Sequence, residues 1–113
     1  MKILLLEDDL SARCAMRRYL EISGHDVVAV GNPNDALALA RTFKPEMLIL
    51  DWELEAEKDG VDVARDLQSD GAPQVIFITG QSLSDLKEAA GELKVAAFFR
   101  KPVSLKQIGV HLN

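Results

Sequence analysis

Cysteine occurs once in this chain, at Cys14, so no intramolecular disulfide can form and a reducing compartment fits. Cys14 itself reads as a packing residue of the first helix. Histidine occurs twice, at His25 and His111, and neither has a companion at ligand spacing; both read as surface or turn positions without a role. Basic residues are outnumbered, 13 against 18 acidic, and a net charge of −5 leaves no basic stripe to displace the counterions of a nucleic acid. An acidic surface suits protein partners instead. The apolar run at Ile3–Leu6 turns acidic at Glu7, too soon for a signal peptide or a membrane-spanning helix, so a cytoplasmic protein without membrane association is expected. Low-complexity segments and internal repeats are also lacking.

At 113 residues, 48% of them apolar, the chain is long enough to bury one core and too short for two, which makes 1–113 a single domain. Five short runs (Ile3–Leu6, Val27–Val30, Met47–Leu50, Val75–Ile78 and Val95–Phe99) are apolar without polar alternation, as expected of parallel strands covered on both faces. Between them, apolar residues recur at helical spacing, as at Met16, Tyr19 and Leu20, or at Leu83, Leu86, Ala90 and Leu93. Ser23-Gly24 closes the first helix, Asn32-Pro33 opens the second, and Asp70-Gly71 closes the third. Capping-box patterns at Ser82–Asp85 and Ser104–Gln107 open the fourth and fifth. The fifth helix is the weak element: Gly109 interrupts it, and Leu105, Ile108 and Leu112 are its apolar contacts. The fold expected is α/β, a doubly wound (βα)5 three-layer αβα sandwich with its functional loops at the carboxyl ends of the strands.

Charged residues stand at those strand ends: Glu7 and Asp8 after the first strand, Asp51 after the third, Lys101 after the fifth. A carboxylate there is costly unless a cation or hydrogen bonds compensate it, and three converging carboxylates call for a metal. A structural salt-bridge cluster of Asp8, Asp51 and Lys101 is the competing physical reading.

Ile3–Asp9, Leu48-Ile49-Leu50-Asp51-Trp52, Val75–Gly80 and Phe98-Phe99-Arg100-Lys101-Pro102, in this order, make the whole chain resemble the receiver domain of two-component response regulators, of the chemotaxis-regulator type. The resemblance implies a flavodoxin-like sheet of order 2-1-3-4-5. It implies that Asp51 accepts a phosphoryl group from a phosphohistidine on a sensor histidine kinase or histidine phosphotransfer protein, and that the domain acts as a switch or phosphorelay element. Mg²⁺ or Mn²⁺ would be held by Asp8, Asp51, Glu7 (directly or through water) and the backbone carbonyl of Glu53. Lys101 would reach a phosphoryl oxygen and pair at rest with Asp51 or its acidic neighbours, its peptide to Pro102 being cis. Thr79 would donate its hydroxyl to another phosphoryl oxygen, with Gly80 leaving room beside it. Phe98 is then either a switch side chain that swings inward or a fixed hydrophobe at the sheet edge; it lacks the hydroxyl of the tyrosine frequent at this position. Output would pass through a downstream protein or an output domain outside this chain, with the fourth helix, fifth strand and fifth helix as a possible homodimer face.

Departures from the family pattern cluster in the loop after the acceptor. Glu55 stands where proline is usual, and Gly60 comes one residue later than is common, so the path of the loop carbonyls and the metal affinity are open to change. The side chains of Glu53 and Gln81 sit where family members tune the lifetime of the phosphoryl group, unless both point to solvent. Trp52 lies beside the metal site or packs on the loop; Glu55, Glu57 and Asp59 read as a solvated loop, and Asp9 faces the first helix or solvent. Two other function classes compete. A phosphorylation-independent binding module would lack the acceptor, lysine or acidic pair, and none is missing. A Mg²⁺-dependent aspartyl phosphohydrolase would need a general acid two residues after Asp51 and a substrate cap; Glu53 matches poorly and there is no cap. Enzymatic turnover beyond the chain's own phosphorylation and dephosphorylation is not expected.

Overall fold

Successive side chains of a strand point to opposite faces, so an unbroken apolar run feeds two cores at once. The computed structural model describes residues 1–112 and shows that arrangement. The elements are β1 (Lys2–Leu6), α1 (Leu10–Ile22), β2 (Asp26–Val30), α2 (Pro33–Phe43), β3 (Met47–Asp51), α3 (Gly60–Leu67), β4 (Gln74–Thr79), α4 (Leu83–Ala90), β5 (Val95–Arg100) and α5 (Leu105–Gly109). The strands form one parallel sheet in the order β2-β1-β3-β4-β5. Leu4, Leu6, Leu48, Leu50, Val75 and Phe77 face α2, α3 and α4, where Ala36, Ala40, Val61, Ala64, Leu86 and Ala90 meet them. Ile3, Leu5, Met47, Ile49, Ile76 and Ile78 face α1 and α5, against Met16, Leu20 and Ile108. Each such Leu or Ile removed from water contributes about 1.5–3 kcal/mol.

The central strands are covered on both faces, but the edge strands are not: β5 carries no fully buried residue and β2 is buried only at Val27 and Val30. Cys14 is exposed rather than packed. It lies two residues from Met16, about 200° around the helix from the buried Met16/Leu20 stripe. Asp70-Gly71 does not close a helix. The third helix ends at Leu67, and Asp70 (φ 56°) and Gly71 (φ 78°) form a tight turn closed by paired backbone bonds between Ser69 and Ala72, of 2.8 and 3.1 Å. Two consecutive residues with positive φ are a hairpin-turn signature, and Asp-Gly supplies it. Leu93 lies beyond α4, which stops at Gly91, but still packs on the core. The fifth helix is five residues long and opens with the Ser104/Gln107 capping box.

Backbone bonds continue past the ends of the strands and hold their carboxyl ends together. Trp52 N–H donates to Ile78 O at 2.9 Å, Lys101 N–H to Thr79 O at 2.7 Å and Glu7 N–H to Val30 O at 3.1 Å. At the start of α3, Gly60 packs so closely on the end of β3 that a Cβ would lie 2.2 Å from the Asp51 carbonyl oxygen and 3.1 Å from Trp52 Cα. These are backbone atoms of the strand that carries Asp51, so they cannot step aside cheaply. Gly60→Ala is therefore expected to destabilise the domain by about 1–3 kcal/mol, as overpacking does, and to shift the end of β3 that carries Asp51; the urea midpoint and the amide resonances of Asp51 and Trp52 check both.

Candidate functional site

Asp51 closes β3 and Glu7 follows β1, and both are almost fully buried, 4% and 5% exposed. With the exposed Asp8 they bring three carboxylates together, one oxygen of each lying within 4.8 Å of the others. Lys101 answers them from the end of β5, its Nζ 3.1 Å from Asp51 Oδ2 and 3.5 Å from Glu7 Oε1. Its peptide to Pro102 is cis. The other Asp51 oxygen, Oδ1, is buried without a hydrogen-bond partner. Burial first, and then the charge of Glu7, push the Asp51 carboxyl up to about 7, with Lys101 opposing. At Lys101 burial works downward, but the hydrogen bond and charge of Asp51, with Glu7, win and raise it.

One ammonium cannot balance three carboxylates, and a buried carboxylate oxygen without a partner carries its full desolvation cost. Hard oxygen donors this close, one of them orphaned, fit a small divalent cation such as Mg²⁺. Two further bonds hold the ligand set: Asp9 N–H donates to Glu7 Oε2 at 3.1 Å, and Glu55 N–H to Asp8 Oδ2 at 3.1 Å. Asp9 itself caps α1 through Ala12 N–H, so it faces the helix and not the cluster.

A second group of polar atoms lies beside the first. Thr79 is fully buried at the end of β4, and its hydroxyl donates to Glu53 Oε1. Gln81 N–H reaches the same carboxylate oxygen at 3.2 Å, and Gly80 N–H reaches Oε2 at 3.3 Å. Burial works to raise the Glu53 carboxyl, but the hydrogen bonds from the Thr79 hydroxyl and from backbone N–H groups, Gly80's among them, hold it below the ordinary range. Glu53 thus points inward, while Gln81 is exposed and contributes its backbone N–H. Phe98 stands apart from the carboxylates. It is half-buried, stacked on Phe77 with ring centroids 6.0 Å apart, and Lys87 Nζ sits 5.6 Å from its centroid on the α4 side.

Trp52 is half-buried and its indole N–H donates to Asp59 Oδ2 at 3.2 Å. Asp59 is not simply solvated: with Asp62 it forms a reciprocal capping box at the start of α3. The signal Asp-x-x-Asp before an apolar turn was available in the sequence. Arg13 has no such signal; its guanidinium donates to the Glu7 carbonyl at 2.9 Å and fills the space beside Gly31. His25 is half-buried, and His111 is exposed with its ring edge-on to Phe99 at 5.6 Å.

A doubly wound parallel sheet of order 2-1-3-4-5 with helices on both faces defines the flavodoxin-like class, and here an acidic pocket and a lysine stand at the carboxyl ends of the strands. Within that class, the chain belongs to the response regulator receiver domain family, whose pattern matches residues 3–113. It is 28% identical over 108 residues to the transcriptional regulatory protein PdtaR of Mycobacterium tuberculosis, covering 95% of this chain and 52% of that protein. It is 28% identical over 113 residues to PhoP, the alkaline phosphatase synthesis transcriptional regulatory protein of Bacillus subtilis, covering 99% and 47%. The chain thus spans about half the length of the curated relatives it matches. The chemotaxis protein CheY4 of Vibrio cholerae shares the fold, with a TM-score of 0.87 at 18% identity over 98% of this chain and 94% of that one. Receiver domains are signalling modules of two-component systems and generally not enzymes. Among the described residues, no helix is long and apolar enough to cross a membrane.

Because the folded state raises the Asp51 carboxyl, it binds this proton more tightly than the unfolded chain does. Metal-free protein is therefore expected to lose stability as pH rises from the ordinary carboxylate range to about 7, and Asp51→Asn to remove that loss and melt higher at neutral pH. Mg²⁺ should offset part of that loss: at ten times its Kd it adds about 1.4 kcal/mol, roughly 5 °C in Tm for a domain of this size, to the wild type, and less to the variant, so the gap between them narrows. Thermal melts with EDTA and with Mg²⁺, at acid and neutral pH, check both statements.

Proposed function

We propose that this domain is a phosphorylatable switch in which Asp51 accepts a phosphoryl group from a phosphohistidine on a sensor histidine kinase or histidine phosphotransfer protein. The observation that carries the reading is Asp51 itself: a buried carboxylate with one oxygen on Lys101 and the other without a partner, facing two further acids. An Asp51 oxygen forms the new bond to phosphorus as the donor's N–P bond breaks, and the bond pair leaves on the imidazole nitrogen. Both reacting groups are anionic, so charge neutralisation and alignment dominate the barrier.

Glu7, Asp8, Asp51 and the backbone carbonyl of Glu53 hold Mg²⁺ or Mn²⁺, which supplies the positive charge that lets a carboxylate approach a phosphoryl group. Lys101, now on Asp51, moves its ammonium to a phosphoryl oxygen. Thr79 offers its hydroxyl to a second one, and Phe98, packed beside Phe77 two residues before Thr79, is the aromatic whose packing responds. Glu53 and Gln81 flank the path of the attacking water and set the lifetime of the adduct. A groove of about 690 Å³ opens beside Glu7 and Lys101, lined by Ala12, Met16, Val103 and Leu105, and gives a donor protein an apolar footing next to the acceptor. The output lies in a downstream protein or in a further domain, in line with the half-length match to transcriptional regulators. Catalysis extends no further than the chain's own phosphorylation and dephosphorylation, and a reducing cytoplasm suits its exposed thiol.

Incubation with Mg²⁺ and acetyl phosphate should give a single phosphoryl adduct by intact mass, absent from Asp51→Asn. Lys101→Ala should slow its formation by roughly 10²-fold, the usual effect of deleting one group that stabilises developing charge. An adduct that persists in Asp51→Asn would sink the assignment. A wild type that binds Mg²⁺ and never carries phosphate would favour a module that works through partner binding alone.

A further inference from the structure

The three donors around Glu53 form a corner built for an anion. A buried hydroxyl and two consecutive backbone N–H groups, from Thr79, Gly80 and Gln81, converge on one carboxylate two residues from the acceptor. The Thr79 oxygen in turn accepts Gln81 N–H at 2.9 Å, which ties the hydroxyl to the turn that leaves β4. Successive N–H groups and a hydroxyl aimed at one point bind carboxylate and phosphate oxygens alike. Lys101 takes no part here; it is engaged by Asp51 and Glu7. The site therefore has two halves, and an anion of the chain itself already fills one of them.

We propose that Glu53 is an internal anion occupying the corner that a phosphoryl oxygen takes on Asp51. It holds Thr79 and the Gly80-Gln81 backbone in their anion-bound arrangement before modification, and an incoming phosphoryl group or free anion must displace it. The inference rests on the acceptor reading of Asp51. Two negative groups cannot share the same three donors, and a carboxylate tethered two residues away competes at high effective concentration. The tether makes displacement local: the Glu53 side chain turns out of the corner while the strands and the hydrogen-bonded loop backbone stay in place. Entry of the anion is thereby slowed, and the rearrangement left for the β4–α4 turn is small.

Beryllofluoride, a tetrahedral phosphoryl analogue, tests this at saturating Mg²⁺ through Trp52 fluorescence. Glu53→Ala should bind it roughly tenfold tighter than the wild type, as expected when the competent form is about a tenth of the population, with Glu53→Gln in between. Glu57→Gln removes the same charge from an exposed position of the same loop and should leave the affinity unchanged. In the anion-free protein, Glu53→Ala should also move the amide resonances of Gly80 and Gln81. Equal or weaker binding in both Glu53 variants, or an equal gain in Glu57→Gln, overturns the internal anion and leaves the acceptor reading standing. Absence of binding in every form, together with absence of an acetyl phosphate adduct, overturns both.

Discussion

The pairing of Lys101 with Asp51 and Glu7 is the contact on which the rest of the site depends. Without it, two nearly buried carboxylates would sit side by side with no cation, an uncompensated cost borne by the apolar strand ends behind them. Even with it, the charges do not balance, and one Asp51 oxygen has no partner. An apolar residue at position 51 would pack the end of β3 at lower cost, so the acid is a feature of chemistry and not of stability. The fold tolerates this because Leu48–Leu50, with Ile3–Leu6 and Val75–Phe77, form the most deeply buried part of the sheet.

The sheet register converts that local charge problem into a precise geometry. β3 pairs with β4 so that Asp51 lies opposite Ile78, and β4 with β5 so that Thr79 lies opposite Arg100, with the Lys101 N–H bonded to the Thr79 carbonyl. Asp51, Lys101 and the Thr79 hydroxyl therefore sit on neighbouring rigid strands. The loop after Asp51 is held differently. A proline at position 55 would have no N–H, whereas Glu55 uses its own to bind Asp8, and the Trp52–Asp59 bond and the Asp59/Asp62 box tie the far end. Hydrogen bonds to the loop thus take over the stiffening that proline's ring would supply, and one of them lands on a candidate metal ligand.

The strands and the residues at the carboxyl edge were legible because buried strands announce themselves as apolar runs, and a charge just past such a run has to be explained; the strand order came only with the family resemblance. The limits were equally physical. Asp70-Gly71 is ambiguous, since a helix end and a tight turn both need positive φ; only the pairing of Ser69 with Ala72 separates them. Cys14 was misplaced because a small apolar residue in a helix is assigned a face by its neighbours, and Met16 and Leu20 set the stripe on the other side. The edge strands looked as apolar as the central ones, because sequence records composition and not position in the sheet. The inward turn of Glu53 was beyond reach, since a loop has no periodicity from which side-chain direction can be read.

That turn alters how the two halves of the site relate. Asp51, Glu7 and Lys101 are linked by charge, and Thr79, Gly80 and Gln81 by hydrogen bonds to one carboxylate; Glu53, two residues after Asp51, joins the two groups by its place in the chain. Thr79 is two residues beyond Phe77, whose ring stacks on Phe98, so from Glu53 to the α4–β5 face there are one hydrogen bond, one strand step and one aromatic contact. Every contact on that path is already made in the unmodified chain. If the proposed switch holds, it does not need to build a new arrangement on phosphorylation; it needs only to exchange the anion that holds the existing one, and the energy difference between carboxylate and phosphate in the same corner sets how far the face responds.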